Sequence, residues 1–332
     1  MNSARCHDPR RPAHGGWTTG PEEGDLGWGA WAGPANELLG KPGSWNGSRA
    51  SGRIFDPGPE GDVRWVGMLE MKFALVSDLH VDRYPDNQPL DWLVVRTWSG
   101  TGTLVIVGNV SDCLQRTMRE ILMARRAFDT VIFVEGPCEY DGGHLIAETV
   151  EQLRSFAERH DGIHYLGTGP GIVIDQTLVC GIATRSHLDM RVVDGGQGRD
   201  DRSVDHVVLL AQRVRDAAAD PHIREVMIVT HMAPHADAIA FTDDPLRDLE
   251  REAACTAALT PIWSDCLDGG KLTTWCFGHS RLYQDFTDEG VRFISNPRGY
   301  RGNLGDNPYT VRVVDTSTLT DEGFGGSRQV YG

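Results

Sequence analysis

A layered α/β fold is predicted for the chain from residue 71 onward. The first observation behind it is an alternation of patterns, in which apolar runs at 72–77, 103–107 and 130–135 enclose a segment at 111–127 with helical spacing. Such alternation is typical of helices that cover a largely parallel sheet. The second observation is that polar, ligand-type or small residues directly follow five of the predicted strands. Ligands of layered α/β folds collect at strand ends, so this observation also locates the candidate site.

The remaining predicted elements continue the alternation toward the C-terminus. They are helices at 144–159, 204–218 and 246–258, and strands near 163–166, 171–174, 177–183, 225–230, 272–277, 282–286, 291–295 and 309–315. Two segments, 82–102 and 184–203, show no readable pattern, and we interpret them as loops.

Residues 1–70 differ in composition from the rest of the chain. They are rich in Gly and Pro and show neither helical nor strand periodicity, which predicts a disordered extension. Five tryptophans, Trp17, Trp28, Trp31, Trp45 and Trp65, are unusual in such a segment. A Trp-anchored interaction arm therefore remains the alternative interpretation, and no catalytic residue is expected here.

The overall composition excludes several classes of protein. The formal net charge of −15 disfavours nucleic-acid binding, because the average surface would repel a phosphate backbone. Seven scattered cysteines without a CxxC pair argue against a zinc ribbon and against a disulfide framework. No apolar run approaches the roughly 18 residues of a membrane span, and no secretory signal is visible. A cytoplasmic protein that does not enter membranes is the expectation.

The residues at the five strand ends are of types that bind metals and phosphate. The motifs are Asp78-Leu79-His80, Gly108-Asn109-Val110-Ser111-Asp112, Gly136-Pro137-Cys138-Glu139-Tyr140, Thr230-His231-Met232-Ala233-Pro234-His235 and Gly278-His279-Ser280-Arg281. A single Asp-x-His is weak evidence because it occurs often by chance. The order of all five motifs is far more specific.

This order resembles that of the calcineurin-like metallophosphoesterase family, which carries Asp-x-His, Gly-Asp, Gly-Asn-His-Glu, His and Gly-His-x-His. The resemblance extends over 71–315, and the run 295–300 (SNPRGY) is similar to a bacterial branch of the family. It implies a four-layer α/β/β/α sandwich of two mixed β-sheets flanked by helices. It also implies that 71–332 forms one metallophosphoesterase domain.

The resemblance implies a site for two divalent cations, with manganese, iron or zinc suited to its oxygen and imidazole ligands. Asp78 and His80 would bind the first cation, and His231 and His279 the second. The implied activity is hydrolysis of a phosphate mono- or diester by metal-activated water. The implied partner is a phosphorylated small molecule or another phosphoester substrate, which the sequence does not specify.

Four positions depart from the family pattern and imply a degenerate metal site. Asn109 replaces the bridging Asp, Pro137 the metal-binding Asn, Cys138 the proton-donating His, and Arg281 the last His. Bound metal is therefore expected to be weak, single or absent, with Asn109 a ligand only through its carbonyl oxygen. Asn109 and Arg281 are also candidate substrate-binding residues. Glu139 matches the family and is expected to orient its loop.

Two functions remain open on the sequence alone. One is a working hydrolase with altered metal coordination; the other is a catalytically impaired pseudoenzyme that binds a phosphorylated ligand or protein partner through Arg281. Asp112 either approaches the metals or simply favours a helix N-terminus. His187 and His235 either supply a proton or lie at the rim. Cys138 is a candidate thiolate ligand or nucleophile.

Overall fold

Two β-sheets form the centre of the protein. The computed structural model describes residues 71–85, 90–140, 145–183, 202–234, 259, 271–280, 283–299 and 309–316. The strands are β1 (Lys72–Ser77), β2 (Thr103–Val107), β3 (Thr130–Val134), β4 (Ile163–Tyr165), β5 (Thr168–Ile174), β6 (Thr177–Ile182), β7 (Glu225–Thr230), β8 (Leu272–Phe277), β9 (Gln284–Asp288), β10 (Val291–Ser295) and β11 (Arg312–Asp315). The helices are α1 (Trp92–Ser99), α2 (Leu114–Arg125), α3 (Ile146–Glu158) and α4 (Arg202–Ala219), with 3-10 turns at Val81–Arg83 and Pro137–Tyr140.

Both sheets are mixed. The first has the order β11-β1-β2-β3-β4, with β1 to β4 parallel and β11 antiparallel to β1. The second has the order β5-β6-β7-β8-β10-β9, in which β6, β7, β8 and β10 are parallel and the two outer strands antiparallel. A short parallel bridge between Ser77 and Pro297 connects the end of β1 to the segment after β10.

Three buried apolar clusters separate the layers. The cluster between the sheets contains side chains of β1, β2 and β3 together with side chains of β6, β7, β8 and β10. A second cluster lies between the first sheet and helices α1, α2 and α3, and a third lies between the second sheet and α4. Each sheet is thus apolar on both faces, which explains why its inner strands are nearly continuous apolar runs. The predicted α/β/β/α sandwich is confirmed.

Most predicted elements agree with the structure to within a few residues. The helix predicted at 246–258, the segment 1–70 and the predicted loop 184–203 lie outside the described residues, apart from the last two residues of that loop, which belong to α4. The division into an extension and one domain therefore stays a prediction. The interpretation of 82–102 as a loop is wrong, because α1 lies within it.

Helix α1 was missed because apolar residues lie on its exposed face as well as on its buried face. Trp92 and Val95 pack against the second cluster, but Leu93, Val94 and Trp98 are exposed, so the apolar residues of the sequence mark no single face. The helix is instead defined by its ends. The Asp91 carboxylate accepts the N–H groups of the first turn, and Gly100 closes the last turn with a φ of 63°.

Among the described cysteines, Cys138, Cys180 and Cys276 form no disulfide bond, whereas Cys113 is disulfide-bonded. The absence of a disulfide framework stays a prediction. None of the helices in the described ranges combines the length and apolar character required to cross a bilayer.

The burial of Trp275 in the third cluster predicts that its replacement costs far more stability than replacement of an exposed tryptophan. Trp275 of β8 is fully buried and donates a hydrogen bond to the Thr230 hydroxyl over 2.9 Å, whereas Trp98 is 60% exposed. We expect Trp275→Ala to lower the free energy of unfolding by about 3–5 kcal/mol and Trp98→Ala by less than about 0.5 kcal/mol. Urea unfolding of both variants measures this. Equal losses would mean that the third cluster is not a packed core.

Candidate metal centre

The loops that follow five parallel strands carry the candidate site. In the first sheet, Asp78 follows β1, Asn109 follows β2, and Cys138 lies in the 3-10 turn after β3. In the second sheet, His231 follows β7 and His279 follows β8. Asn109, His231 and His279 all contact Asp78, so loops from both sheets meet at this residue.

Four of the site residues have a left-handed backbone, which side chains other than glycine rarely adopt. The φ angles are 48° at Asp78, 41° at His80, 55° at Asn109 and 63° at His279. Backbone hydrogen bonds hold two of these turns, since Asp78 N–H donates to the Gly108 carbonyl and His80 N–H to the Asn109 carbonyl, each over 3.0 Å. Strained conformations of this kind cluster at functional sites, where the surrounding structure determines them.

Three glycines allow these loops to approach one another. A Cβ atom at Gly108 would lie 2.4 Å from His231 Nδ1, and one at Gly136 would lie 2.5 Å from Asn109 Oδ1. A Cβ atom at Gly278 would lie 2.7 Å from the Val107 carbonyl oxygen. These positions therefore accept only glycine without a shift of the site.

The Asp78 cluster consists of Asp78, His231 and His279. The His231 ring is fully buried, and its Nδ1 atom lies 2.9 Å from the Val107 carbonyl oxygen. A carbonyl oxygen only accepts, so Nδ1 carries the proton and Nε2 carries a lone pair. Nε2 is buried, forms no hydrogen bond with any described residue, and lies 3.9 Å from Asp78 Oδ1. The His279 ring packs edge-on against His231 at 5.5 Å between centroids.

This arrangement fits a single cation. Two atoms with lone pairs, Nε2 of His231 and Oδ1 of Asp78, face each other at a distance too long for a hydrogen bond. A cation with ligand distances of about 2.1 Å reaches both atoms, because the two bonds together exceed their separation. Such a cation would also satisfy the buried nitrogen, which otherwise costs free energy.

The Asp78 carboxylate retains capacity for a cation. Its Oδ1 accepts a hydrogen bond from Asn109 Nδ2 over 3.0 Å, and its Oδ2 accepts one from the His279 N–H over 3.1 Å. A carboxylate has about four lone-pair positions, so two remain. The side chain is buried, at 5% exposure, which strengthens its attraction for a positive charge.

Asn109 connects its neighbours through hydrogen bonds. Its Oδ1 accepts the N–H of Cys138 over 3.0 Å, and this contact identifies which amide atom is the oxygen. The NH₂ group therefore points at Asp78. In this orientation the carbonyl oxygen is engaged with Cys138, and a bridge between two cations would require the amide to turn over. The role of Asn109 as a metal ligand stays a prediction.

Glu139 holds the loops of Asn109 and Cys138 together. Its fully buried carboxylate accepts backbone N–H groups from Gly136 over 2.8 Å, Val110 over 2.6 Å and Asn109 over 3.1 Å. Burial raises the pKa of this carboxyl to about 7, although the three hydrogen bonds oppose the shift. The expected orienting role of Glu139 agrees with these contacts.

The His80 cluster consists of His80, Asp112 and Cys138. Their potential ligand atoms all lie within 4.8 Å of one another, and Cys138 Sγ is 3.8 Å from His80 Nδ1. Burial lowers the pKa of His80, and the charge of Asp78 opposes that change. The imidazole is thus favoured in the neutral form that binds metals.

The Asp112 carboxylate forms an ion pair with the Arg83 side chain of the 3-10 turn that follows β1. The Arg83 guanidinium bonds to Asp112 Oδ2 and lies 3.1 Å from Asp82 Oδ2. Burial raises the pKa of the Asp112 carboxyl, and Asp82 adds to that effect, while Arg83 and the Cys138 side chain lower it. Asp112 therefore contacts other site residues rather than merely occupying a helix N-terminus.

The structure brings together most of the residues that the sequence singled out. Arg281, His187 and His235 lie outside the described residues, so their roles stay predictions. Arg83 and Asp82 were missed, because they fall in the segment where no pattern was readable. The sequence signal that could have identified them is their position within three residues of His80.

The close contact of Gly108 with His231 predicts that an alanine destabilises the protein more at position 108 than at position 290. Gly108→Ala and Gly290→Ala both place an alanine at positive φ, at 67° and 81°, but the space around Gly290 is empty within 4 Å. We expect Gly108→Ala to lower the free energy of unfolding by about 1–3 kcal/mol more than Gly290→Ala, because its methyl group collides with His231. Urea unfolding provides the comparison, and equal losses would contradict the close approach.

Comparisons with known proteins support the fold. No model of a known protein family matches the sequence, and no curated protein matches it. Among solved structures, the chain is similar to the phosphopantetheinyl hydrolase from Mycobacterium tuberculosis, with a TM-score of 0.54, 15% identity, and coverage of 75% of this chain and 97% of that chain. At this identity the likeness shows a shared fold.

Two further structures are more distant. A dimetal phosphatase from Danio rerio has a TM-score of 0.44 and 13% identity, covering 68% of this chain and 86% of that chain. A putative 5'-nucleotidase from Staphylococcus aureus has a TM-score of 0.44 and 12% identity, covering 69% of this chain and 49% of that chain. Scores below 0.5 carry no argument, so the shared fold rests on the first structure.

Proposed function

We propose that the protein is a metallophosphoesterase-like hydrolase that cleaves a phosphate mono- or diester with a divalent cation held by the Asp78 cluster. The observation that carries this proposal is the buried Nε2 atom of His231, which faces Asp78 Oδ1 without a donor between them. A polar atom buried in this way is costly unless something satisfies it. A divalent cation satisfies an imidazole nitrogen and a carboxylate oxygen together.

Each residue of the Asp78 cluster has a different role in binding such a cation. Asp78 supplies the negative charge, while the Val107 carbonyl fixes the tautomer and the angle of the His231 ring. His279 packs against that ring and donates its own N–H to Asp78, which keeps the carboxylate in place. Manganese, iron and zinc all accept this combination of nitrogen and oxygen ligands.

A bound divalent cation supplies Lewis-acid polarisation of a phosphoryl oxygen and makes water a better nucleophile near neutral pH. The protein contributes a pocket whose three N–H groups, from Asn109, Cys138 and His279, are already paired internally. They are therefore positioning groups and do not contact the substrate. The likeness in fold to a phosphopantetheinyl hydrolase supports a phosphoester as the substrate class.

A second candidate function is binding of a phosphorylated ligand or protein partner without turnover. It is favoured by one observation: the position where the family pattern has a bridging carboxylate holds Asn109, whose NH₂ group points at Asp78. An amide cannot neutralise the charge of two neighbouring cations. In this candidate, Arg281 provides part of the positive charge that attracts the phosphoryl group.

The first test removes ligands of the Asp78 cluster. We expect His231→Ala and the isosteric Asp78→Asn to lower the affinity for manganese by about 100-fold or more, since loss of a ligand costs at least as much as loss of its supporting partners. Hydrolysis of an aryl phosphate ester should fall in parallel. Metal analysis of the purified protein and manganese-dependent turnover are the measurements.

The matched control for this test is His222→Ala, which removes an exposed histidine away from the cluster. It should leave both metal content and turnover unchanged. Wild-type protein that binds metal but does not turn over the ester would favour the second candidate. If Asp78→Asn retains full metal affinity, the Asp78 cluster is not the metal site.

A second test uses the Asn109 hydrogen bond. Asn109→Asp places a carboxylate 3.0 Å from Asp78 Oδ1, where like charges repel unless a cation lies between them. We expect the variant to unfold at a lower temperature than the wild type without metal, and to gain more stability than the wild type on addition of manganese. Thermal unfolding with and without manganese measures both effects.

Asn296→Asp serves as the control for this variant. The Asn296 amide is buried and donates to the Leu75 carbonyl oxygen over 2.8 Å, outside both clusters. This variant should also lose stability, because a carboxylate cannot donate there, but manganese should not restore it. If manganese stabilises neither variant, position 109 does not correspond to the bridging position.

A further inference from the structure

We propose that His80, Asp112 and Cys138 form a cation site of their own, suited to zinc and separate from the Asp78 cluster. The three residues come from three different loops: His80 from the turn after β1, Asp112 from the segment before α2, and Cys138 from the turn after β3. Their side chains nevertheless place an imidazole nitrogen, a carboxylate oxygen and a sulfur atom within 4.8 Å of one another.

The distances fit tetrahedral zinc. With zinc–sulfur and zinc–nitrogen bonds of about 2.3 and 2.05 Å, a tetrahedral angle separates the two ligand atoms by about 3.6 Å. The observed separation between Cys138 Sγ and His80 Nδ1 is 3.8 Å. The sulfur and nitrogen atoms are therefore within a few tenths of an ångström of the tetrahedral separation, and the Asp112 oxygen lies within 4.8 Å of both.

The chemistry of the three ligands selects the metal. A thiolate is a soft ligand that favours zinc over manganese or magnesium, and an imidazole and a carboxylate complete a mixed set that zinc accepts. On binding, the cation takes the place of the Cys138 thiol proton, which passes to solvent. The metal preference of the His80 cluster thus differs from that of the Asp78 cluster, which contains no sulfur.

The surrounding charges support occupation by a divalent cation. The Asp112 and Asp82 carboxylates lie beside the Arg83 guanidinium, and release of the Cys138 thiol proton on binding adds a third negative group, so the occupied cluster has an excess of two negative charges that offsets a divalent cation. Arg83 bonds to one oxygen of Asp112 and bridges to Asp82, which restricts the rotation of the Asp112 carboxylate. Such supporting contacts orient a metal ligand and raise the affinity of a site.

Three protein ligands leave one tetrahedral position for an exogenous group. Catalytic zinc sites have this form, whereas structural sites have four protein ligands. The fourth position would take a water molecule or a phosphoester oxygen. Because the His80 cluster shares no ligand with the Asp78 cluster, the site stands independently of the proposed hydrolase function.

Cobalt provides a direct test, because a cobalt–thiolate bond produces a charge-transfer absorption band in the near ultraviolet. The full chain is stripped of metal with a chelator and titrated with Co²⁺. We expect a band that reaches its plateau by two equivalents, because the Asp78 cluster takes up one of them, and that disappears on addition of Zn²⁺. Cys138→Ser should abolish the band, and Asp112→Asn should weaken cobalt binding by about 100-fold or more. Unfolding midpoints of both variants establish that they are folded.

Two further variants separate this site from the rest of the protein. Cys180→Ala removes a buried thiol under α4 and should leave the band unchanged. His231→Ala removes the Asp78 cluster and should also leave the band unchanged, while the total metal bound falls by one equivalent. Persistence of the band without Cys138, or its absence from the wild type, would overturn the proposal. An unchanged metal count in His231→Ala would instead contradict the Asp78 cluster alone.

Discussion

The carboxylate of Glu139 is the interaction on which the site depends. It accepts the N–H groups of Gly136, Val110 and Asn109, which belong to the loops after β2 and β3. Those N–H groups lie in buried backbone, where each would cost about 1–3 kcal/mol if left unpaired. Their hydrogen bonds in turn offset the cost of burying a carboxylate. With the two loops fixed to each other, Asn109 can reach Asp78 and Cys138 at once.

The left-handed backbone at the strand ends is a consequence of this close approach. A strand that simply continued would carry its next side chains away from the neighbouring loops. Turning sharply at Asp78, Asn109 and His279 costs about 1–3 kcal/mol at each residue and directs their side chains or N–H groups toward one volume. The glycines beside them, Gly108 and Gly278, leave room for the His231 ring. Packing of both sheets and the backbone hydrogen bonds sustain this strain.

Much of the fold could be predicted from the sequence because its inner strands are buried on both faces and read as apolar runs. Helix α1 could not be predicted from periodicity, since Leu93, Val94 and Trp98 are exposed, although Asp91 and Gly100 mark its ends. The sequence also indicated the candidate ligands, because strand ends meet in folds of this class.

What the sequence could not provide is the hydrogen bonding of the ligands. The orientation of the Asn109 amide depends on a backbone N–H from another loop, the one at Cys138. The participation of Asp112 depends on Arg83, which reaches it from 29 residues away in the chain. Such pairings are properties of the packed loops. No pattern of residue types along the chain encodes them.

The Asn109 side chain lies between the Asp78 cluster and the His80 cluster and forms hydrogen bonds to both. Its NH₂ group binds the Asp78 carboxylate, and its oxygen binds the N–H of Cys138, so the amide fills the space between the Asp78 and His80 clusters with hydrogen bonds. A carboxylate in the same place would face Asp78 with like charge and would require cations on either side. The neutral amide removes that requirement. The amide at position 109 therefore keeps two sets of side chains apart, one with oxygen and nitrogen atoms and one that includes the Cys138 sulfur.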